Sequence, residues 1–354
     1  MPILEQIAER FGQTDGVRTA VACLQNGHTP CVVSGMCSSA RPFFLLTLLA
    51  QTGRKGLFVV PEEKEAYQLQ KILSCVLPRV YVYPAKDFIF ENITSYSREN
   101  EHERLKILAA VAAGEYDAVV TVPDALMQFT LSPAGLDEKR IRLKKGETTD
   151  LKSLCRMLDE NGYQRAELVE GPGQYAVHGG ILDVFSPQYD DPVRADFFGD
   201  EIDRIAFFDR YTQRTVSERE EAFLLPNAEL LPDDAGRRRV AQEYDALSAF
   251  AFPLEKYREE IRQASETLAE SGRVTYPDRY AALLHPERFT LMDALGEAVP
   301  VLLESKKVKE RAEGFFRETY GVCESLAGRG LLRLKSGLPF DDAESFLSRF
   351  KTHP

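Results

Sequence analysis

Between residues 30 and 130 the apolar positions come in two alternating patterns. Short continuous runs at 31–33, 57–60, 79–83 and 118–122 read as buried strands. Between them, apolar residues recur at helical spacing. The segment 62–76 places Ala66, Leu69, Leu73 and Val76 on one side, and 42–50 is apolar almost throughout before Gly53. The segment 98–113 carries acids in its first turn and Gly114 after its end. Strands alternating with helices predict a parallel sheet covered by helices. Ahead of this unit, residues 1–13 place Ile3, Leu4, Ile7 and Phe11 on one side of a short amphipathic helix.

From 131 the pattern changes. Residues 131–135 read as a linker. Ile141 and Leu143 then alternate with Arg140, Arg142 and Lys144 in a strand with one basic face, and 150–160 forms a helix with Leu151, Leu154, Cys155 and Leu158 inward. Period-two segments follow. Residues 174–178 place Tyr175 and Val177 on one face, Gly179-Gly180 breaks the strand, and 181–185 resumes it until Ser186-Pro187. Segments 193–198 and 201–208 flank Gly199-Asp200, a tight-hairpin signal, because glycine takes the positive φ such turns require. Val193, Ala195 and Phe197 point to a core, whereas Arg194, Asp196 and Phe198 share the other face. From this strand alone, the simplest reading covers Phe198 within its own domain. From Pro226 onward the chain is mainly helical: a turn at 231–234 with Asp234 as helix cap, long helices over 237–269 interrupted near Pro253, a strand at 300–304, and helices over 306–320 and 341–350.

Composition narrows the function. The chain has 354 residues, 44% hydrophobic and 28% charged, as in a globular protein of two to three domains. A net charge of −11 argues against a bare nucleic-acid surface, which would need excess cations to release phosphate counterions. No run reaches membrane-span length and the start lacks a signal-peptide pattern. Six cysteines without a C-x-x-C pair read as reduced, mostly buried thiols, with no metal site. No cofactor is expected, no catalytic constellation assembles, and the run Arg237-Arg238-Arg239 is a candidate phosphate contact, although such a run at a helix start is more often a solvated face.

After the first expected strand, a phosphate loop of pattern G-x-x-x-x-G-K-[ST] would be placed at Gly35 to Pro42. Gly35 is present, but Ala40, Arg41 and Pro42 replace the glycine, lysine and hydroxyl residue. Pro42 removes both the magnesium-binding hydroxyl and a backbone N–H. Two readings fit: a nucleotide site that has decayed, or an ordinary strand-to-helix turn. Neither hydrolyses ATP. The strand at 300–304 ends in Glu304-Ser305 where a magnesium site would need two acids, and Glu304 reads as a solvated end of a core strand.

The run Gly173-Gln174-Tyr175, then Gly179 to Phe185, Pro192-Val193-Arg194, Asp196-Phe197-Phe198, Phe208-Asp209 and Thr212-Gln213-Arg214 resembles bacterial transcription-repair coupling factors. The similar part is the module they share with the nucleotide-excision-repair protein UvrB. The order of the remaining segments fits that UvrB-like region over essentially the whole chain. The resemblance implies an α/β fold: a helicase-like parallel-sheet domain with a degenerate P-loop and an inserted α+β UvrB-like domain. The first part spans 1–130, the UvrA-binding insert 131–225, and the second part of the helicase-like domain 226–354. It favours the decayed nucleotide site over the ordinary turn. It also implies a cytoplasmic adaptor that recruits UvrA in transcription-coupled repair. An intramolecular C-terminal domain, an RNA polymerase contact and an ATP-driven motor acting on DNA are expected beyond Pro354. The family's contacts to UvrA carry over onto His178, Arg194 and Phe198. Arg194 and Phe198 match, and both are expected to face solvent off the core. His178 departs from the usual Arg and is shorter and mostly neutral at pH 7. Two rivals are a working UvrB-like ATPase, which nucleotide titration would reveal, and a DNA-binding module using Arg140, Arg142 and Lys144, which salt-dependent binding would reveal.

Overall fold

The computed structural model describes residues 6, 9–91, 97–249, 254–296 and 298–352. Ile3, Leu4 and Ile7 of the expected amphipathic start, and Pro253 of the expected helix break, lie outside these residues, whereas Phe11 packs against the first core.

Strands β1 (Gly56–Val59), β2 (Val80–Tyr83) and β3 (Ala118–Thr121) are short, and β1 and β3 are buried along their whole length. A strand buried on both faces must be covered on both, and the helices between the strands do this. Arg41–Thr52 is apolar on nearly every side and buries Phe44, Leu45, Leu46, Leu48 and Leu49; Gly53, at φ +65°, closes it. Glu63–Leu73 and Glu99–Ala112 bury narrower faces. The expected strand at 31–33 does not form, and Val32 is 88% exposed. Pro30 has no N–H to give a ladder, and only four residues separate it from Gly35, so too little chain remains to build a paired strand.

Residues 131–135 are not a plain linker. Ser132 accepts a hydrogen bond from the Gly135 N–H and caps the helix Pro133–Lys139, with Pro133 in its first turn. Beyond it, β4 (Ile141–Lys144) pairs antiparallel with a later strand. The helix Leu151–Glu160 is capped by Asp150, which accepts from the N–H groups of Lys152 and Ser153. Then come β5 (Gln164–Arg165), β6 (Gln174–His178), β7 (Ile181–Val184), β8 (Val193–Phe198), β9 (Glu201–Phe208), β10 (Thr215–Arg219) and β11 (Glu221–Leu224), the partner of β4. A six-stranded sheet runs in the order β10-β9-β8-β7-β6-β5, antiparallel except for β5 with β6. One face of this sheet packs Tyr175, Leu182, Val184, Val193, Ala195 and Ile205 against Leu154 and Leu158 of the helix and Ile141 and Leu143 of β4.

The rest is helical apart from β12 (Val299–Leu302), which pairs parallel with β1 and gives the first sheet the order β12-β1-β3-β2. The helix Asp234–Ser248 is capped by Asp233, not Asp234: the Asp233 carboxylate accepts from the Gly236 N–H. The helix Ser305–Gly328 runs well past Tyr320. Residues 17–136 and 225–346 contribute to one core and residues 141–224 to another.

The stretch 225–231 joins the two. Toward the six-stranded sheet, Leu225 accepts from the Tyr163 hydroxyl, its N–H donates to Ser186, and Asn227 donates to the carbonyls of Asn161 and Gly162. Toward the parallel sheet, Glu229, fully buried, accepts two hydrogen bonds from Arg104 at 2.9 and 3.1 Å and one from Thr130 at 2.7 Å. Lys86 lies 3.7 Å from Glu229 and donates to Asp278 at 3.0 Å. Buried charges persist only when paired this closely.

Candidate functional site

The face of the six-stranded sheet turned away from its helix carries the residues singled out above. Direct cross-strand neighbours share a face, so the pairings Asp183↔Arg194, Ile181↔Asp196 and His178↔Ile181 put His178, Asp183, Arg194 and Asp196 on one side. Phe198 ends β8 on that side, opposite Glu201, at the Gly199-Asp200 turn where Gly199 has φ +63°. A register shift beside Phe197 bulges β9, so the alternation in β8 is undisturbed.

Phe198 is 84% exposed, so it is not covered within its own domain. Residues 146–149 pair with Asp200, Glu201 and Ile202 on one flank of the hairpin tip and Gly180 accepts from the Phe197 N–H on the other, yet neither covers the ring. Arg194 corrects the expectation in the opposite sense: it is half-buried. Its guanidinium makes two 2.7 Å bonds to Asp183, which is 2% exposed, and donates to the Gln213 side-chain Oε1 at 2.8 Å. Its carbon lies 4.2 Å above the Phe208 ring. The bidentate geometry suits arginine and not lysine. His178 ends β6, exposed. The three residues do not form a tight cluster. Arg194 and Phe198 are four residues apart, roughly 13 Å along an extended strand, and His178 lies two strands over. They line a band with Phe198 at one end.

At the other end of the band lies a feature the sequence reading passed over, the turn from Asp209 to Arg214. Asp209 accepts from the N–H groups of Tyr211 and Thr212 and from the Thr212 hydroxyl at 3.1, 2.6 and 2.8 Å. The Thr212 bonds, first, hold its carboxyl below the usual aspartate range. Tyr211 is 80% exposed. An Asp three residues ahead of a Thr is the local signal that could have marked this turn.

The loop compared above with a phosphate loop is tied to the far end of the first sheet through Arg41 and Glu304. Gly35 has φ +78°, Ala40 ends a 3₁₀ turn, Arg41 opens the following helix and Pro42 sits in its first turn. Arg41 forms an ion pair with Glu304, so the cation and acid that would face a phosphate and its metal neutralise each other, and Glu304 is not a freely solvated strand end. Gly35, Arg41 and Glu304 line a cavity of about 530 Å³ whose other walls are chiefly apolar, among them Phe44, Leu48, Val301, Leu303 and Phe350. Among the described residues no strand precedes the loop, so the strand–loop–helix arrangement of a phosphate loop is not formed. Two of the three cations of the basic strand face are paired: Arg142 with Glu221 and Glu147, and Arg140 with Asp137 while it stacks over Phe223; Lys144 is exposed. Arg237 and Arg239 donate to the carbonyls of Gly272 and Leu283 instead of standing in solvent. The thiols are less buried than expected: only Cys323 is fully buried, and Cys31, Cys37 and Cys75 are exposed. No helix among the described residues is long and apolar enough to cross a membrane.

Residues 141–230 match the family model of the UvrB interaction domain. Over 201 residues, 56% of this chain, the sequence is 36% identical to a transcription-repair-coupling factor of Myxococcus xanthus, of which that stretch covers 17%. Over 343 residues, 92% of this chain, it is 25% identical to that of Bacillus subtilis, covering 29%. Over 282 residues, 75% of this chain, it is 25% identical to UvrABC system protein B of Thermotoga neapolitana, covering 40%. The chain therefore spans less than a third of each of these two transcription-repair-coupling factors.

Proposed function

We propose that this chain, a relative of the transcription-repair coupling factors that carries a UvrB interaction domain over residues 141–230, recruits UvrA in transcription-coupled nucleotide excision repair. Its working surface is the outer face of the six-stranded sheet, with Phe198 as apolar anchor and Arg194 and His178 beside it. The chain divides into a helicase-like unit from 1–130 and 226–354 with 131–225 inserted. ATP-driven movement on DNA and contact with RNA polymerase belong to segments of the longer relatives outside this match, as does a C-terminal domain that covers this face. The reading places the protein in the cytoplasm.

The observation that carries this reading is the exposure of Phe198. A large aromatic ring 84% in solvent, at the tip of a hairpin within a domain whose family name is an interaction, contributes almost nothing to its own fold. Aromatics and arginines are the side chains on which protein interfaces concentrate their binding energy. The Arg41–Glu304 pair supports an adaptor over a working ATPase, and the pairing of Arg140 and Arg142 with carboxylates supports it over a DNA-binding module. The test is calorimetric titration with UvrA from the same organism, comparing the parent with Phe198→Ala.

A further inference from the structure

We propose that Tyr211 is a second anchor on this face, and that Arg194 serves binding as a positioning residue by holding the turn that carries Tyr211. The inference rests on the reading of this face as the UvrA-binding surface. Arg194 stands between the two exposed aromatics: Phe198 ends the same strand in one direction, and in the other Arg194 donates to Gln213, two residues after Tyr211.

The turn is fixed from several sides. Asp209 holds the backbone of Tyr211 and Thr212. Gln213 takes a φ of +60°, its N–H donates to the Asp209 carbonyl, and its amide donates to the Arg210 carbonyl while its oxygen accepts from Arg194. Arg210 donates to the Glu170 carbonyl, lies 5.7 Å over Phe185 and 4.8 Å over the Tyr211 ring, and donates to the Tyr211 hydroxyl at 2.9 Å. Both Phe185 and Phe208, the floor beneath Arg210 and Arg194, are buried. Tyr211 is thus exposed yet already held, and a side chain ordered before docking loses less entropy on docking. It belongs to none of the packed cores among the described residues, so its fixation is not explained by the fold.

The surrounding charge indicates what the partner presents. Arg214 is exposed, and neither Arg210 nor Arg214 has a carboxylate at ion-pair distance among the described residues, whereas Arg194 and Arg204 do. The complementary surface on UvrA is an apolar shelf for the tyrosine ring bordered by carboxylates for these two guanidinium groups.

The experiment titrates UvrA into the parent, Phe198→Ala, Tyr211→Ala, Gln213→Asn, Arg214→Glu and the double variant Tyr211→Ala/Gln213→Asn, with thermal melts of each. Asparagine tolerates the positive φ at 213 but is too short to reach Arg194, so it cuts the tie and leaves the Arg194–Asp183 pair intact. Tyr211→Ala should melt like the parent and bind UvrA about tenfold more weakly or worse. Gln213→Asn should weaken binding in the same direction, and the double variant should bind no more weakly than Tyr211→Ala alone, because the tie acts only through the ring. Arg214→Glu should weaken binding and reverse its salt dependence. If Phe198→Ala loses affinity while Tyr211→Ala and Arg214→Glu bind like the parent, the second anchor is wrong and the UvrA reading stands. If Tyr211→Ala weakens but Gln213→Asn does not, or the losses add, the positioning role of Arg194 is wrong. If no variant, Phe198→Ala included, changes affinity, the reading of the face fails and this inference fails with it.

Discussion

Truncating Arg194 removes the counter-charge from Asp183, a carboxylate 2% exposed in the middle of β7. A buried acid left unpaired is costly, so Arg194→Ala is expected to lower folding stability by about 2 kcal/mol. The measurement is a denaturant midpoint at unchanged slope; a midpoint equal to the parent's would show that Asp183 is solvated or protonated at no cost. Phe198 carries no such obligation. This contrast corrects the expectation that both side chains lie off the core. Alternation along β8 was enough to put the two residues on one face, because period two needs only the strand itself. That Arg194 meets Asp183 depends on the register of β7 against β8 across a long Ser186–Pro192 connection, which no local pattern reports. Tyr211 was missed for a related reason: it lies in a turn, outside any periodic segment, and its role depends on contacts with Arg210 and Gln213.

Among elements, the strands with unbroken apolar runs and the helices with clear apolar stripes were legible, and the failures came at punctuation. Proline and glycine at 133 and 135 read as a linker, but Ser132 before Pro133 is a helix start when its oxygen reaches the Gly135 N–H. At 31–33 three apolar residues resembled a strand, yet a strand requires a partner edge and the chain does not bring these residues to one. The helix Glu99–Ala112 carries a prediction of its own. His102 faces the joint at 225–231; burial first, and then the Arg98 guanidinium, hold its pKa below the ordinary 6.5. Below that value the unfolded chain takes up the proton before the folded one does. Its contribution to stability is therefore complete above pH 6.5 and declines as pH falls from there toward the folded pKa. The melting temperature should drop between about pH 7 and pH 5, and His102→Gln should flatten part of that slope. An identical slope in the variant would place the pH dependence elsewhere.

At the level of the whole molecule, β12 pairs with the edge of β1 although the two strands are some 240 residues apart in sequence, a pairing that periodicity along the chain does not report. The buried network of Lys86, Arg104, Glu229 and Asp278 was invisible in advance because its members come from three distant segments, each of which reads locally as a solvated charge. The same kind of long-range pairing joins Arg41 to Glu304, and under the proposed reading these two are the remnants of a nucleotide site. Titration with ATP and magnesium at millimolar concentration should therefore give no saturable heat, and magnesium-dependent saturation would show that the Arg41–Glu304 pair gives way to a nucleotide. Titration with UvrA from the same organism tests the proposed role of this molecule as an adaptor whose outer sheet face engages UvrA through Phe198. The parent should bind saturably, and Phe198→Ala, melting at the parental temperature, should bind about thirtyfold more weakly. Parental affinity in a normally folded Phe198→Ala variant, or no binding by the parent, would contradict it.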